Sequence, residues 1–214
     1  MFPLALLNAS SPPSPPSPPV DPIVLSCLFA SDFTDSSSYN TPISTVTGTP
    51  SFVDSSLYLP LGARIRTGSV DNQPQTNLSL YNKLYTIEFD IKMQSAAYPT
   101  IVLYRGSSDS ANIQSILIDS VANTITISNT NNNGIFATYS LGFDSKAAFF
   151  NVKFKRTSLT DYELLINAVV VRSVSSYSQG VMDNNTDSTT YHGFRIGQNA
   201  TRPFYIKNFK VTTF

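Results

Sequence analysis

The chain has 214 residues, 14 basic and 14 acidic, so its formal charge is zero at neutral pH, and only 13% of positions are charged. A balance of that kind excludes the dense basic surface by which nucleic acid or an anionic membrane is held. One cysteine leaves no internal disulfide, and one histidine, His192, excludes clustered histidine metal sites.

The first segment, residues 1–22, reads as an extended arm. Ser11 to Pro19 is three Ser-Pro-Pro triplets. Proline fixes φ and removes a donor, so Pro12, Pro13, Pro15, Pro16, Pro18 and Pro19 predict a solvated polyproline II rod that cannot join a sheet. At roughly 3.1 Å per residue its nine residues span about 28 Å. Phe2, Leu4, Leu6 and Leu7 form an apolar foot ahead of it. This short apolar run has no basic residue before it and does not read as a secretory signal. The expected role is an anchor laid along a neighbouring subunit.

Residues 23–214 read as one domain, long enough for a single well-buried core. Ile23 to Phe29 is a predicted buried strand holding Cys27, and Ala30 to Thr41 a polar loop with Asp32 and Asp35. Short strands follow at Ile43 to Val46, Ser51 to Val53, Leu57 to Leu59 and Ala63 to Thr67, parted by Gly48-Thr49-Pro50, Asp54-Ser55-Ser56 and Pro60. Leu84 to Met93 alternates most cleanly. Ile87, Phe89, Ile91 and Met93 share one face, while Thr86, Glu88, Asp90 and Lys92 share the other.

Thr100 to Tyr104, Ile113 to Ile118, Thr124 to Ile127 and Gly134 to Leu141 continue the series, with a turn over Asn129 to Gly134. Ala148 to Lys155, Tyr162 to Ser173, Phe194 to Ile196 and Phe204 to Thr212 complete it, and Ser175 to His192 reads as a long loop. No stretch up to Thr67 has helical periodicity, Ser175 to His192 has room for one helical turn, and no run approaches the ~20 apolar residues of a membrane-spanning helix. A dozen short strands with regular turns predict an all-β, two-sheet antiparallel jelly-roll sandwich behind the Pro-rich arm.

The order of these pieces resembles the concanavalin-A-like lectin and glucanase superfamily, in its laminin-G-like branch. The resemblance is carried by Phe29 to Ser37 as opening strand and Asp-Ser loop, Leu84 to Met93 as central strand, Tyr162 to Val171 as a hairpin, and Phe194 to Gly197 with Phe204 to Val211 as the closing pair. It covers nearly all of residues 25–214. Members often place a tryptophan near the central strand; this chain has none. The resemblance implies sugar binding beside a calcium site in lectin members and a carboxylate pair on one strand in glucanase members.

Glu88 and Asp90 alternate as a retaining pair would, but the third position is Lys92, and an ion-paired sheet face explains the trio without catalysis. Asp32, Asp35 and Asp183 are candidate calcium ligands, although no compact ligand loop surrounds them. His192 has no nucleophile elbow to partner it and reads as a loop residue. No enzymatic activity is therefore expected, and no cofactor beyond the candidate calcium.

Arm and sandwich together resemble accessory proteins on the exterior of virus particles, above all capsid decoration, fibre or adaptor proteins of tailed phages. The expected function is that of a virion structural protein whose partners are capsid, portal or tail subunits and further copies of itself. Two-point attachment would raise the effective concentration of the second contact. The alternative is a carbohydrate-binding adhesin module that stacks host or surface glycans on Tyr98, Tyr104, Tyr177 and Tyr191.

Overall fold

A computed structural model of the chain describes residues 22–67, 78, 80, 83–94, 100–105, 114–129, 134–158, 160–174, 193–197 and 203–214. Met1 to Asp21 of the predicted anchoring arm (residues 1–22) lie outside the described residues, as does the predicted loop Ser175 to His192. In chain order the strands are β1 (Ile23–Cys27), β2 (Ile43–Thr47), β3 (Ser51–Val53), β4 (Ser56–Leu59), β5 (Arg64–Thr67), β6 (Tyr85–Met93), β7 (Thr100–Arg105) and β8 (Gln114–Asp119). There follow β9 (Thr124–Asn129), β10 (Gly134–Ser140), β11 (Phe150–Arg156), β12 (Tyr162–Ile166), β13 (Val169–Val174), β14 (Phe194–Ile196) and β15 (Phe204–Thr213).

They form two antiparallel sheets. The eight-stranded sheet runs β13-β12-β11-β6-β15-β4-β3, with β1 also paired to β15; the seven-stranded sheet runs β10-β9-β8-β7-β14-β5-β2. The predicted all-β antiparallel sandwich is the observed fold. No helix among the described residues is long and apolar enough to cross a membrane.

Alternation decides which face of each strand enters the core. Along β6, Tyr85, Ile87, Phe89, Ile91 and Met93 are buried and the residues between them are partly exposed, and β11 repeats this with Phe150, Val152 and Phe154. From the other sheet come Ile65, Ile116, Ile118, Ile125, Ile127, Phe194 and Ile196. Phe194 of β14 meets Phe209 of β15 edge to face at 5.5 Å, which joins the two layers. Each such fully buried side chain stabilises the fold by roughly 1.5–3 kcal/mol.

Three departures from the expected strands have local causes. The first strand stops at Cys27 because Phe29 takes a positive φ of 56°; Phe29 returns to the core while Leu28, expected to be buried, is 61% exposed. Tyr162 to Ser173, one strand by its pattern and a hairpin by the resemblance, is the hairpin, since Asn167 and Ala168 both have positive φ, the geometry of a two-residue turn. In β15 the register slips between Lys207 and Lys210, a bulge at which Asn208, φ 54°, is the extra residue.

Cys27 is 1% exposed, and burial first, then the neighbouring Asp35 charge, push its thiol well above the ordinary range. A thiolate is the reactive species. A disulfide exchange reagent is therefore expected to leave Cys27 untouched in native protein for hours and to modify it fully in denaturant; rapid native labelling would contradict the packing.

Candidate functional site

The expected site residues fall in three groups. Phe2, Leu4, Leu6, Leu7 and the arm prolines, and likewise Tyr98, Tyr177, Asp183, Tyr191 and His192, lie outside the described residues. Tyr104 belongs to β7, where its register partners are Arg195 and Ser115. The remaining candidates sit in well-defined surroundings.

Asp35 is buried, and its carboxylate is engaged by the fold. Oδ1 accepts from Ser26 N at 2.8 Å and Ser37 N at 2.9 Å, and Oδ2 from Ser37 Oγ at 2.8 Å and Thr41 N at 2.7 Å. Asp32 is exposed and accepts from Thr34 N at 2.9 Å, a local turn bond. Among the described residues no three His, Cys, Asp or Glu side chains gather as a metal site would require.

Glu88 and Asp90 share the outer face of β6, as their spacing dictates, and both are partnered. Glu88 pairs with Lys153 at 2.9 Å. The amide of Asn151 donates to Glu88 Oε1 at 3.2 Å and to Asp90 Oδ1 at 2.9 Å, while Asn208 donates to Asp90 Oδ2 at 2.6 Å. The bulge that presents Asn208 thus serves Asp90. Each oxygen of the two carboxylates thus accepts from an amide or a lysine, the arrangement of an ion-paired sheet face.

Beside this network lies an aromatic row that the sequence reading did not select. Tyr205 of β15 stands in register between Tyr58 of β4 and Lys92 of β6. The Tyr58 and Tyr205 rings are 4.9 Å apart and tilted by 36°, and Tyr58 donates its hydroxyl to Gln94 Oε1 at 2.9 Å. Phe149, just ahead of β11, meets Tyr205 edge to face at 6.5 Å. Lys207 Nζ lies 4.4 Å from the centre of the Phe149 ring. All three rings are partly exposed.

The row opens into a pocket of about 250 Å³ lined by Phe143, Asp144, Ala147, Ala148, Phe149 and Asn167. Its loop is held from several sides. Met93 N donates to Ser145 O at 3.0 Å, Ser145 N to Asn123 Oδ1 at 3.1 Å, and Lys146 Nζ to Ser120 O at 2.9 Å. Lys146 also pairs with Asp144 at 2.5 Å, and its side chain, then its backbone N–H, holds the Asp144 carboxyl below the usual carboxylate range. Phe149 is a wall of both row and pocket, so the two form one continuous surface of rings and hydrogen-bonding groups.

Tyr58 and Tyr205 could have been found from the sequence, because each stands between buried apolar residues, in Leu57-Tyr58-Leu59 and Phe204-Tyr205-Ile206, and so must face outward. Phe149 has the same parity as Asn151, Lys153 and Lys155 in the predicted strand Ala148 to Lys155, although the observed β11 begins only at Phe150.

No protein-family model matches the chain, and no curated protein matches its sequence. The fold is similar to solved receptor-binding structures. The binding domain of botulinum neurotoxin DC in complex with rat synaptotagmin II superposes with a TM-score of 0.66 at 15% identity, over 89% of this chain and 48% of that one. The same domain in complex with SialylT gives 0.66 at 14%, over 90% and 48%. A botulinum neurotoxin type C structure, from work tying its cell entry to two ganglioside molecules, gives 0.64 at 14%, over 89% and 48%. This chain spans about half the length of these neighbours. The likeness shows a shared β-sandwich fold, and the first two of these neighbours are binding domains.

Proposed function

We propose that this chain is a non-catalytic carbohydrate-recognition module of the lectin-like sandwich class, binding on the outer face of its eight-stranded sheet. The carrying observation is the row Tyr58, Tyr205 and Phe149 running into the pocket beside Asn167. A pyranose offers one apolar face and a rim of hydroxyls, and it is met by aromatic rings flanked with amides and carboxylates. Gln94, Asn167 and Asp144 supply such groups here. The glycan and ganglioside ligands of the structural neighbours support this reading. The virion role drawn from the sequence rests on the arm, and the neighbours lend it no support.

A glycan array with the intact chain tests the proposal. Specific binding is expected, and Tyr205→Ala should weaken it about 30-fold, the loss of one aromatic anchor of about 2 kcal/mol, with melting temperature little changed. Binding to no glycan, or binding indifferent to Tyr205→Ala and Tyr58→Ala, would overturn it.

A further inference from the structure

Resting on that reading, we infer that the saccharide is anionic, and that Lys92 and Lys207 receive its carboxylate or sulfate at the aromatic end of the site. Four strands of the outer face, β6, β11, β12 and β15, present Lys92, Lys153, Lys155, Lys207 and Lys210 against Glu88, Asp90 and Glu163. Lys153 is committed to Glu88 at 2.9 Å and Lys155 to Glu163 at 3.8 Å. Among the described residues neither Lys92 nor Lys207 has a carboxylate within ion-pair distance.

The case of Lys207 is specific. Its register partner is Asp90, the carboxylate that would ordinarily neutralise it. Asp90 is taken instead by two neutral amides, Asn151 at 2.9 Å and Asn208 at 2.6 Å. The Lys207 ammonium lies over the Phe149 ring. Lys92 is the register partner of Tyr205, so of the three described lysines without an ion pair on this face, Lys92 and Lys207 flank the ring at the centre of the row, while Lys210 lies beyond the bulge beside Glu88.

The exchange this permits is simple. An incoming anion offers Lys207 a charge-assisted hydrogen bond, stronger than the contact of an exposed ammonium with a ring. As the ammonium turns to the anion it uncovers Phe149, whose face becomes available to the sugar. At the pocket end Asp144 is already neutralised by Lys146, which fixes polarity: the anionic group lies at Lys92 and Lys207 and the neutral residues of the saccharide point toward Asn167. Three consecutive rings are longer than one pyranose, so the ligand is an oligosaccharide.

The test compares matched pairs by calorimetry on the full chain: 3′-sialyllactose against lactose, trigalacturonate against its carboxyl-reduced form, and sulfated against unsulfated lactose. At least one anionic member should bind tenfold or more tighter than its neutral partner and weaken as salt rises. Lys92→Gln with Lys207→Gln should remove that preference and its salt dependence with melting temperature unchanged, and the carboxylated and sulfated arms separate the two sources of charge. Equal affinity for charged and neutral partners, or a preference that survives the double substitution, overturns the inference but leaves carbohydrate recognition standing. Binding to none of these and to nothing on the array overturns both. A single-stranded oligonucleotide binding as tightly, with the same sensitivity, would reassign the face to nucleic acid.

Discussion

Gly197→Ala is expected to cost more than about 4 kcal/mol, enough to leave little folded protein at 37 °C, whereas Gly62→Ala should cost only about 1 kcal/mol. Both glycines occupy positive φ, 87° and 76°, so both substitutions carry the ordinary penalty of an L-residue in that region. They differ in what the new methyl meets. At Gly62 nothing lies within 4 Å; at Gly197 the Cβ would sit 2.5 Å from the carbonyl oxygen of Ala63. That contact is with backbone, so no side-chain rotation relieves it.

Gly197 follows β14 directly, Ala63 precedes β5, and the two strands pair at Arg195 with Arg66 and Ile196 with Ile65. Relief of the clash must therefore part the two strands and pull the buried Ile65 and Ile196 away from the core. Urea unfolding of the two variants beside wild type decides the point. Equal shifts of the midpoint at unchanged slope would mean that the close approach of Gly197 to Ala63 contributes nothing.

How much of this was legible in the sequence depends on where period-two order holds. In β6, and in the β11 residues Phe150, Val152 and Phe154, the alternation is unbroken, and face and register follow from it. In β15 the apolar spacing lengthens from two to three between Ile206 and Phe209, the mark of an inserted residue; read as one continuous strand, it hides the Asn208 amide that Asp90 requires. The approach of Gly197 to Ala63 joins residues more than a hundred positions apart and leaves no local trace. For the site, the tyrosines expected to stack were Tyr104 of β7 and three outside the described residues, whereas the described row uses strand tyrosines whose outward direction alternation alone determines. Phe149 is held at the end of the segment 141–149, which Asn123, Ser120 and Met93 pin from two other parts of the chain, the β8–β9 turn and the end of β6.

Asp35 marks the other limit, since a polar loop carboxylate read from sequence as a calcium ligand is 4% exposed and spends its oxygens on four protein donors. Ser26 lies in β1 of the eight-stranded sheet, and Thr41 leads into β2 of the seven-stranded sheet, so one carboxylate staples the crossover between layers. Asp35→Ala should cost about 4 kcal/mol. It strands three backbone N–H groups at roughly 1–3 kcal/mol each, discounted because water reaches those of the half-buried Ser26 and Ser37. Asp35→Asn keeps one acceptor oxygen and should lose about half as much. If this staple is the whole role of Asp35, wild type melts at the same temperature in calcium and in chelator, and both variants shift it by the same amount in each. A calcium-dependent rise in melting temperature that Asp35→Asn abolishes would make the carboxylate a metal ligand and return the loop to the site.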